Sequence, residues 1–358
     1  MPAKVSQAVI KRVLTQFEYH QNDISIKPTQ SGYRNSIIPI EIHGDKPEKL
    51  ALIFYKREPK ILEKIKLTNL ISNQLANNGW PTRQTISTNN QEILKLHTRD
   101  KTIFCCLYNY LDGSTIEWES YSKKHIKLLG QVLGYLHQDL ERISHNINII
   151  ASKECSNLQQ KLTKMNNYFT NIETQTAIEQ KLKLRINPVY LSRYAKLLKW
   201  LNAHKKSQLL HLDFVRGNIL FKNITNCHFD DKFVLKLEQK TVTNKSLAVT
   251  GVLDFEKAAL GPRELDISRT LAFLLVDCKN KNPQKIVKYF IDSGYVKRVN
   301  IAQPNHLLIT ELVFMYLLID LYQFFKHNPY EYLYQNQHFL RTRDYLIKYG
   351  NQRLLLPI

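Results

Sequence analysis

Two short stretches carry the side chains best suited to chemistry. Leu209-Leu210-His211-Leu212-Asp213-Phe214-Val215-Arg216-Gly217-Asn218-Ile219-Leu220-Phe221 sets Asp213, Arg216 and Asn218 between apolar flanks. Gly251-Val252-Leu253-Asp254-Phe255-Glu256 comes next, with Asp254 standing 36 residues after Asn218. Apolar residues around a short polar constellation are what strand ends leave when they present functional groups at a cleft. Phosphoryl transfer needs these residue types: one carboxylate orients a hydroxyl and accepts its proton, while an amide oxygen and a second carboxylate bind the Mg2+ that bridges nucleotide phosphates. Asp213, Asn218 and Asp254 fit those roles in that order.

The remaining polar residues read mainly as support. His211 is expected to brace the loop through hydrogen bonds, and Asp266 to brace the fold rather than take part in chemistry. Glu256 divides between a metal contact and support of one. Arg216 divides between meeting a phosphate or acidic substrate and forming a surface ion pair.

The order His211-x-Asp213-x4-Asn218, then Asp254-Phe255-Glu256, resembles the signature of the aminoglycoside phosphotransferase and choline kinase family. Tyr108-Asn109-Tyr110-Leu111-Asp112-Gly113 resembles that family's interlobe hinge. Gly130-Gln131-Val132-Leu133-Gly134-Tyr135-Leu136-His137 resembles the first helix of its large lobe, and Gly261-Pro262-Arg263-Glu264-Leu265-Asp266-Ile267 its Gly-Pro then Asp segment. The similarity runs over about residues 30–325. It implies an α+β, two-lobed protein-kinase-like fold, with a small β-rich nucleotide-binding lobe over 1–110 and a larger, mainly helical lobe over 111–358. It further implies transfer of the γ-phosphate of ATP, with GTP left open, to a small-molecule hydroxyl in the presence of Mg2+. On that footing Asp213 is the catalytic residue, Asn218 and Asp254 hold the metal, and Gly32, Asn35, Lys56, Tyr108 and Tyr110 meet the nucleotide.

The nucleotide end departs from the pattern. The turn over the phosphates relies on glycines for close backbone approach, and Ser31 to Asn35 offers only Gly32. Where relatives carry a lysine or arginine on the third small-lobe strand, this chain has Ile53, with Lys56 just beyond and Glu63 as its best partner. That departure motivates an alternative, a pseudokinase or nucleotide-sensing module without turnover. A protein Ser/Thr kinase fits less well, because only 11 residues separate Asp254 from Asp266, too few for a peptide-binding platform.

Hydrophobic periodicity supplies the elements that must position these groups. Val5, Val9, Val13 and Phe17, with Ala8 and Leu14, recur at helical spacing. Residues 36–42 and 50–55 read as strands, 60–77 as a helix, and 91–97 with 103–110 as a hairpin. Helices are expected over 122–140, roughly 156–184 and 188–204, with a β-rich interval at 208–256 and helices after it. Tyr316, Asp320 and Gln323 fall on one helical stripe of the expected acceptor-binding region. A cleft between two lobes is the expected ligand site.

Composition narrows the classes. Hydrophobic residues make up 43% and charged residues 23% of 358, enough to bury a core and to exclude a disordered chain. The net charge of +20 is spread over everything except residues 211–277, where about nine basic residues meet about nine acidic ones. Dispersed charge reads as a solvated surface, so no specific nucleic-acid partner is expected. Cys105, Cys106, Cys155, Cys227 and Cys278 form no C-x-x-C pair and read as reduced thiols. No apolar signal core follows the first basic residues, and the apolar run from Leu307 to Phe325 is broken by Glu311 and Asp320. A cytoplasmic protein without a membrane partner is the expectation.

Overall fold

The computed structural model describes residues 5–19, 24–31, 35–43, 47–89, 91–97, 102–147, 151–182, 184–185, 188–203, 207–225, 230–235 and 245–349. The chain divides into two units, residues 1–113 with 250–256 and residues 114–249 with 257–358.

In the first unit β1 (Ile24–Ile26), β2 (Gln30–Ser31), β3 (Ser36–Ile42), β4 (Glu48–Phe54), β5 (Thr85–Ile86), β6 (Leu94–His97) and β7 (Thr102–Asn109) form one antiparallel sheet. The order across it is β1-β3-β4-β7-β5, with β2 on β3 and β6 on β7. Side chains alternate between the two faces of a strand. Leu50, Leu52 and Phe54 of β4 therefore point one way, where Ile10, Val13 and Leu14 of α1 (Gln7–Gln16) cover them. Ile10 completes the apolar stripe of that helix, and Ala8 is exposed. Ile53 and Tyr55 point the other way, into a cluster with Cys106, Tyr108 and the Ile61 and Ile65 side chains of α2 (Ile61–Asn77).

The boundary expected after residue 110 falls after 113, and residues 250–256 return to the first unit. Backbone pairing explains the return. Val252 bridges Thr82 in parallel and its N–H donates to the Pro81 carbonyl at 2.8 Å, while Thr250 Oγ1 donates to the Asp112 carbonyl at 2.5 Å.

The second unit is mainly helical: α3 (Lys123–Ile147), α4 (Glu154–Thr170), α5 (Ile172–Leu182) and α6 (Pro188–Ala203) precede its strands. The single helix expected over 156–184 is two, because Asn171 is extended and its side chain accepts the Thr174 N–H at 2.9 Å, capping a new start. β8 (Gln208–Leu210), β9 (Ile219–Thr225), β10 (Val234–Leu235), β11 (Lys245–Val252) and β12 (Ala259–Gly261) come after them. β10, β11 and β9 lie side by side, and β12 pairs antiparallel with β8, setting Ala259 opposite Leu210. Then come α7 (Arg263–Asp277), α8 (Pro283–Val287), a π-helical stretch (Lys288–Val296), α9 (Lys297–Val299), α10 (His306–His327), α11 (Tyr330–Leu333) and α12 (Gln337–Tyr349). By length and composition α10 is apolar enough to cross a membrane, and most of it is buried against α4, α6, α7 and α12.

Gly130 of α3 and Gly294 of the π-helical stretch let two backbones meet. A Cβ on Gly130 would stand 2.1 Å from the Phe290 carbonyl oxygen, and one on Gly294 would stand 3.1 Å from Gly130 Cα. Backbone on both sides leaves no flexible atom to give way. Gly130→Ala should therefore destabilise the chain by about 3 kcal/mol in urea denaturation. A loss below about 0.5 kcal/mol would show that the contact yields.

Candidate active site

β8 delivers the chain to the loop of residues 211–218, and one carboxylate shapes that loop. Asp266, in the first turn of α7 and fully buried, accepts the His211 N–H at 2.8 Å on Oδ2 and the Leu212 N–H at 3.0 Å on Oδ1. His137 Nε2 lies 3.2 Å from the same Oδ2, and its Nδ1 lies 2.7 Å from the Tyr295 hydroxyl. Leu212 is thereby held at φ 57°, the left-handed region that a branched side chain rarely enters. Such a residue costs about 1–3 kcal/mol. Two hydrogen bonds to a charged acceptor, at about 1.5–3 kcal/mol each, outweigh it. His211, also fully buried, accepts the Asp213 N–H on Nδ1 at 3.1 Å, so it braces the loop as its place in the sequence implies.

Asp213 emerges from this brace nearly buried and surrounded by cations that sequence reading did not identify. Lys257 Nζ stands 2.7 Å from its Oδ1, and Arg269 NH2 stands 3.6 Å from the same oxygen. Burial alone would raise the Asp213 carboxyl, but the charges of Lys257 and Arg269 and the Lys257 hydrogen bond prevail and hold it below the usual carboxylate range. Arg269 lies three residues after Asp266 on α7, on the same side of the helix, and that spacing was the available signal for it. Lys257 is next to Glu256, but its pairing spans 44 residues and follows no local pattern.

Asn218 Nδ2 donates to the Asp213 carbonyl at 2.9 Å and to its Oδ2 at 3.1 Å. With the amide nitrogen engaged, Oδ1 is the oxygen left to a cation. In the first unit Asp254 is exposed at φ 64°, and its Oδ1 faces the Glu256 N–H at 3.3 Å. Both residues offer hard oxygen donors, the chemistry Mg2+ takes. Among the described residues no group of three or more His, Cys, Asp or Glu side chains is placed to hold a metal alone. An Mg2+ on either residue would therefore draw most of its oxygens from other groups and water. Glu256 accepts the Asn35 amide at 2.6 Å.

The expected nucleotide residues divide. Gly32 lies outside the described residues. The Asn35 amide joins Glu256 to the Lys56 N–H, which donates to Oδ1 at 3.1 Å. Lys56 and Glu63 are both exposed, and among the described residues no ion pair joins them. Glu58 pairs with Lys64 instead. The Tyr108 ring is buried, and its hydroxyl lies 2.5 Å from the Tyr55 hydroxyl and donates to Asn69 Oδ1 at 2.7 Å. Tyr108 stands opposite Ala51 within the sheet. Tyr110, one residue past β7, is half-buried and donates its N–H to the Lys49 carbonyl at 3.0 Å.

Two further expectations resolve within the second unit. Arg216 forms an ion pair, its Nε 3.4 Å from the buried Asp277 and its guanidinium 4.9 Å from the centre of the Trp118 ring. Burial pushes the Asp277 carboxyl up to about 6 against the pull of Arg216, His338 and Arg341. Asp320, the odd charge in α10, has His338 Nε2 at 3.8 Å and Arg269 as a charge neighbour. Tyr316 presents its ring to Arg269 at 5.5 Å. Gln323 is half-buried on the same helix.

A small antiparallel sheet unit, a larger helical unit and the braced His-x-Asp-x4-Asn loop define a protein-kinase-like fold, the fold of the aminoglycoside phosphotransferases. No family model and no curated protein matches the chain. Solved structures do match. An amicoumacin kinase in complex with AMP-PNP, Ca2+ and Ami is 12% identical, with 96% of this chain and 93% of that one covered at a TM-score of 0.62. A spectinomycin phosphotransferase with ADP and spectinomycin is 13% identical over 99% and 97%, at 0.60. A microcompartment-associated aminopropanol kinase is 11% identical over 98% and 99%, at 0.58. At such identities the likeness shows the fold.

The cations at Asp213 make a prediction about pH. Lys257→Met removes the nearest positive charge, so the Asp213 carboxyl should titrate at higher pH when followed by carboxyl-resolved NMR. A titration that stays in place would show that Lys257 does not set the ionisation of Asp213.

Proposed function

We propose that this chain is an ATP- and Mg2+-dependent phosphotransferase that moves the γ-phosphate to a hydroxyl of a small molecule. The observation that carries the reading is Asp213: a nearly buried carboxylate on a strained, braced loop, held ionised by Lys257 and Arg269 and bonded to Asn218. A carboxylate kept ionised orients an incoming hydroxyl and takes its proton as the new P–O bond forms. Its rigid support matters because catalysis of this transfer rests on positioning and electrostatics more than on covalent chemistry. Asn218 Oδ1 and the Asp254 carboxylate are the oxygens proposed for Mg2+, which would neutralise charge on the phosphate oxygens. The acceptor is to be sought among small hydroxylated compounds, and GTP is to be tried beside ATP. Four cysteines held as free thiols, Cys105, Cys106, Cys155 and Cys278, support a cytoplasmic setting.

A second reading has its own observation. Ile53 is buried in an apolar cluster and Lys56 is exposed, which favours a nucleotide-sensing pseudokinase. Turnover separates the two.

ADP release, measured over a panel of hydroxylated metabolites and aminoglycosides, should find an acceptor. On that acceptor Asp213→Ala should lower kcat by roughly 10²–10⁴-fold while ATP affinity stays within about twofold. A variant that keeps more than about a tenth of wild-type turnover removes Asp213 from the role. Asp254→Asn should lose activity that excess Mg2+ does not restore, and an unchanged Mg2+ dependence would take Asp254 out of the metal site.

A further inference from the structure

The geometry points to Arg83 as the residue that meets the nucleotide's phosphates, in place of a basic residue on β4; this rests on the phosphotransferase reading above. The face of β4 from which a strand lysine would act is neutral in this chain. Ile53 packs there with Tyr55, Cys106, Tyr108, Ile61 and Ile65. Where a lysine and a helix carboxylate would form an ion pair, Tyr55, Tyr108 and Asn69 form a chain of hydroxyl and amide hydrogen bonds. The formal charge that joins that network is a carboxylate: Asn69 Nδ2 also donates to Glu92 Oε2 at 3.3 Å.

Arg83 brings a cation to the neighbourhood of Tyr55 and Tyr108. Thr82 bridges Val252 in parallel, so the backbone at Arg83 runs beside Leu253-Asp254. Its position is fixed by Ser72, whose hydroxyl donates to the Arg83 carbonyl and whose own carbonyl accepts Thr82 Oγ1–H at 2.8 Å. Tyr55, Tyr108, Asp254 and Tyr110 are titratable groups near enough to its guanidinium to act on it electrostatically. Burial lowers its pKa and the Asp254 carboxylate opposes this, and a guanidinium keeps its proton at neutral pH.

Arg83 Nε is shielded from solvent and has no hydrogen-bond partner among the described residues. An unsatisfied, desolvated donor on a charged group is unfavourable, and an anion rich in oxygen acceptors relieves it. A phosphate group does so in a geometry that the planar guanidinium fork matches. Asp254 is the residue assigned above to Mg2+, so the metal ligand and the phosphate-facing cation stand side by side on paired backbone. Arg83 is also the only charged residue between Lys66 and Glu92.

Calorimetric titration of the full-length chain with ATP, ADP and adenosine, in the presence of Mg2+, tests this. Arg83→Ala should weaken ATP and ADP by tenfold or more and leave adenosine within about twofold, Arg83→Lys should recover part of the loss, and Lys56→Ala should leave all three within about twofold. Arg83→Gln, which keeps a donor and removes the charge, is read in the same way if the alanine variant does not fold. Unchanged ATP and ADP affinity in a folded Arg83 variant overturns the inference, as does an equal loss of adenosine, which would mark Arg83 as architectural. A wild type that binds none of the three ligands contradicts the phosphotransferase reading itself.

Discussion

A single buried carboxylate organises the second unit. Asp266 draws the N–H groups of His211 and Leu212 to its two oxygens and takes His137 on a third contact, tying α7, α3 and the loop after β8 to one point. Burial would raise this carboxyl, but its hydrogen bonds, with His137 first among them, bring it below its ordinary value. Its contribution to stability is therefore full above about pH 4, where the unfolded carboxyl is ionised, and is lost as pH falls through the lower folded value. The left-handed Leu212 exists because this acceptor holds it, and Asp213 is aimed by the turn that Leu212 makes. Without the brace, the loop has no reason to keep a conformation that costs more than an ordinary turn.

Charge around Asp213 is the second constraint. A lone carboxylate this buried would tend to protonate, and Lys257 and Arg269 reverse the balance. Arg269 is itself shared, with Asp213 on one side, the Tyr316 and Phe273 rings nearby and Asp320 within its field. The helix stripe that looks isolated in sequence thus belongs to the surroundings of Arg269. Asp320 is tolerated in an apolar helix because the charge of Arg269 reaches it from α7, with His338 Nε2 of α12 at 3.8 Å.

The loop and the Asp254 segment were legible because their residue types must recur at short, fixed spacings along one chain. Periodicity also placed the sheet of the first unit and the long helices. What it could not show was pairing across long separations. Lys257 reaches Asp213 over 44 residues, and Val252 joins Thr82 across a chain reversal that leaves no pattern in composition. Asn171 breaks a helix because its side chain caps the next one, a signal hidden by apolar residues that continue on both sides. Strand alternation sets Tyr108 on the same face as Cys106 and buries its ring, a detail that the motif itself does not carry. Arg83 stood alone in an uncharged stretch, a signal that acquires meaning only once Ile53 is seen to be buried.

The dependence of the loop on Asp266 is open to direct measurement by amide hydrogen exchange in wild type and Asp266→Asn. An amide in place of the carboxylate keeps the shape but loses the charge that two backbone donors and His137 share. The His211 and Leu212 amides should then exchange at least about tenfold faster, while amides of β4 and β7 keep their wild-type rates. Equal protection of His211 and Leu212 in the two proteins would contradict the account, because the loop would then hold its strained turn without the carboxylate.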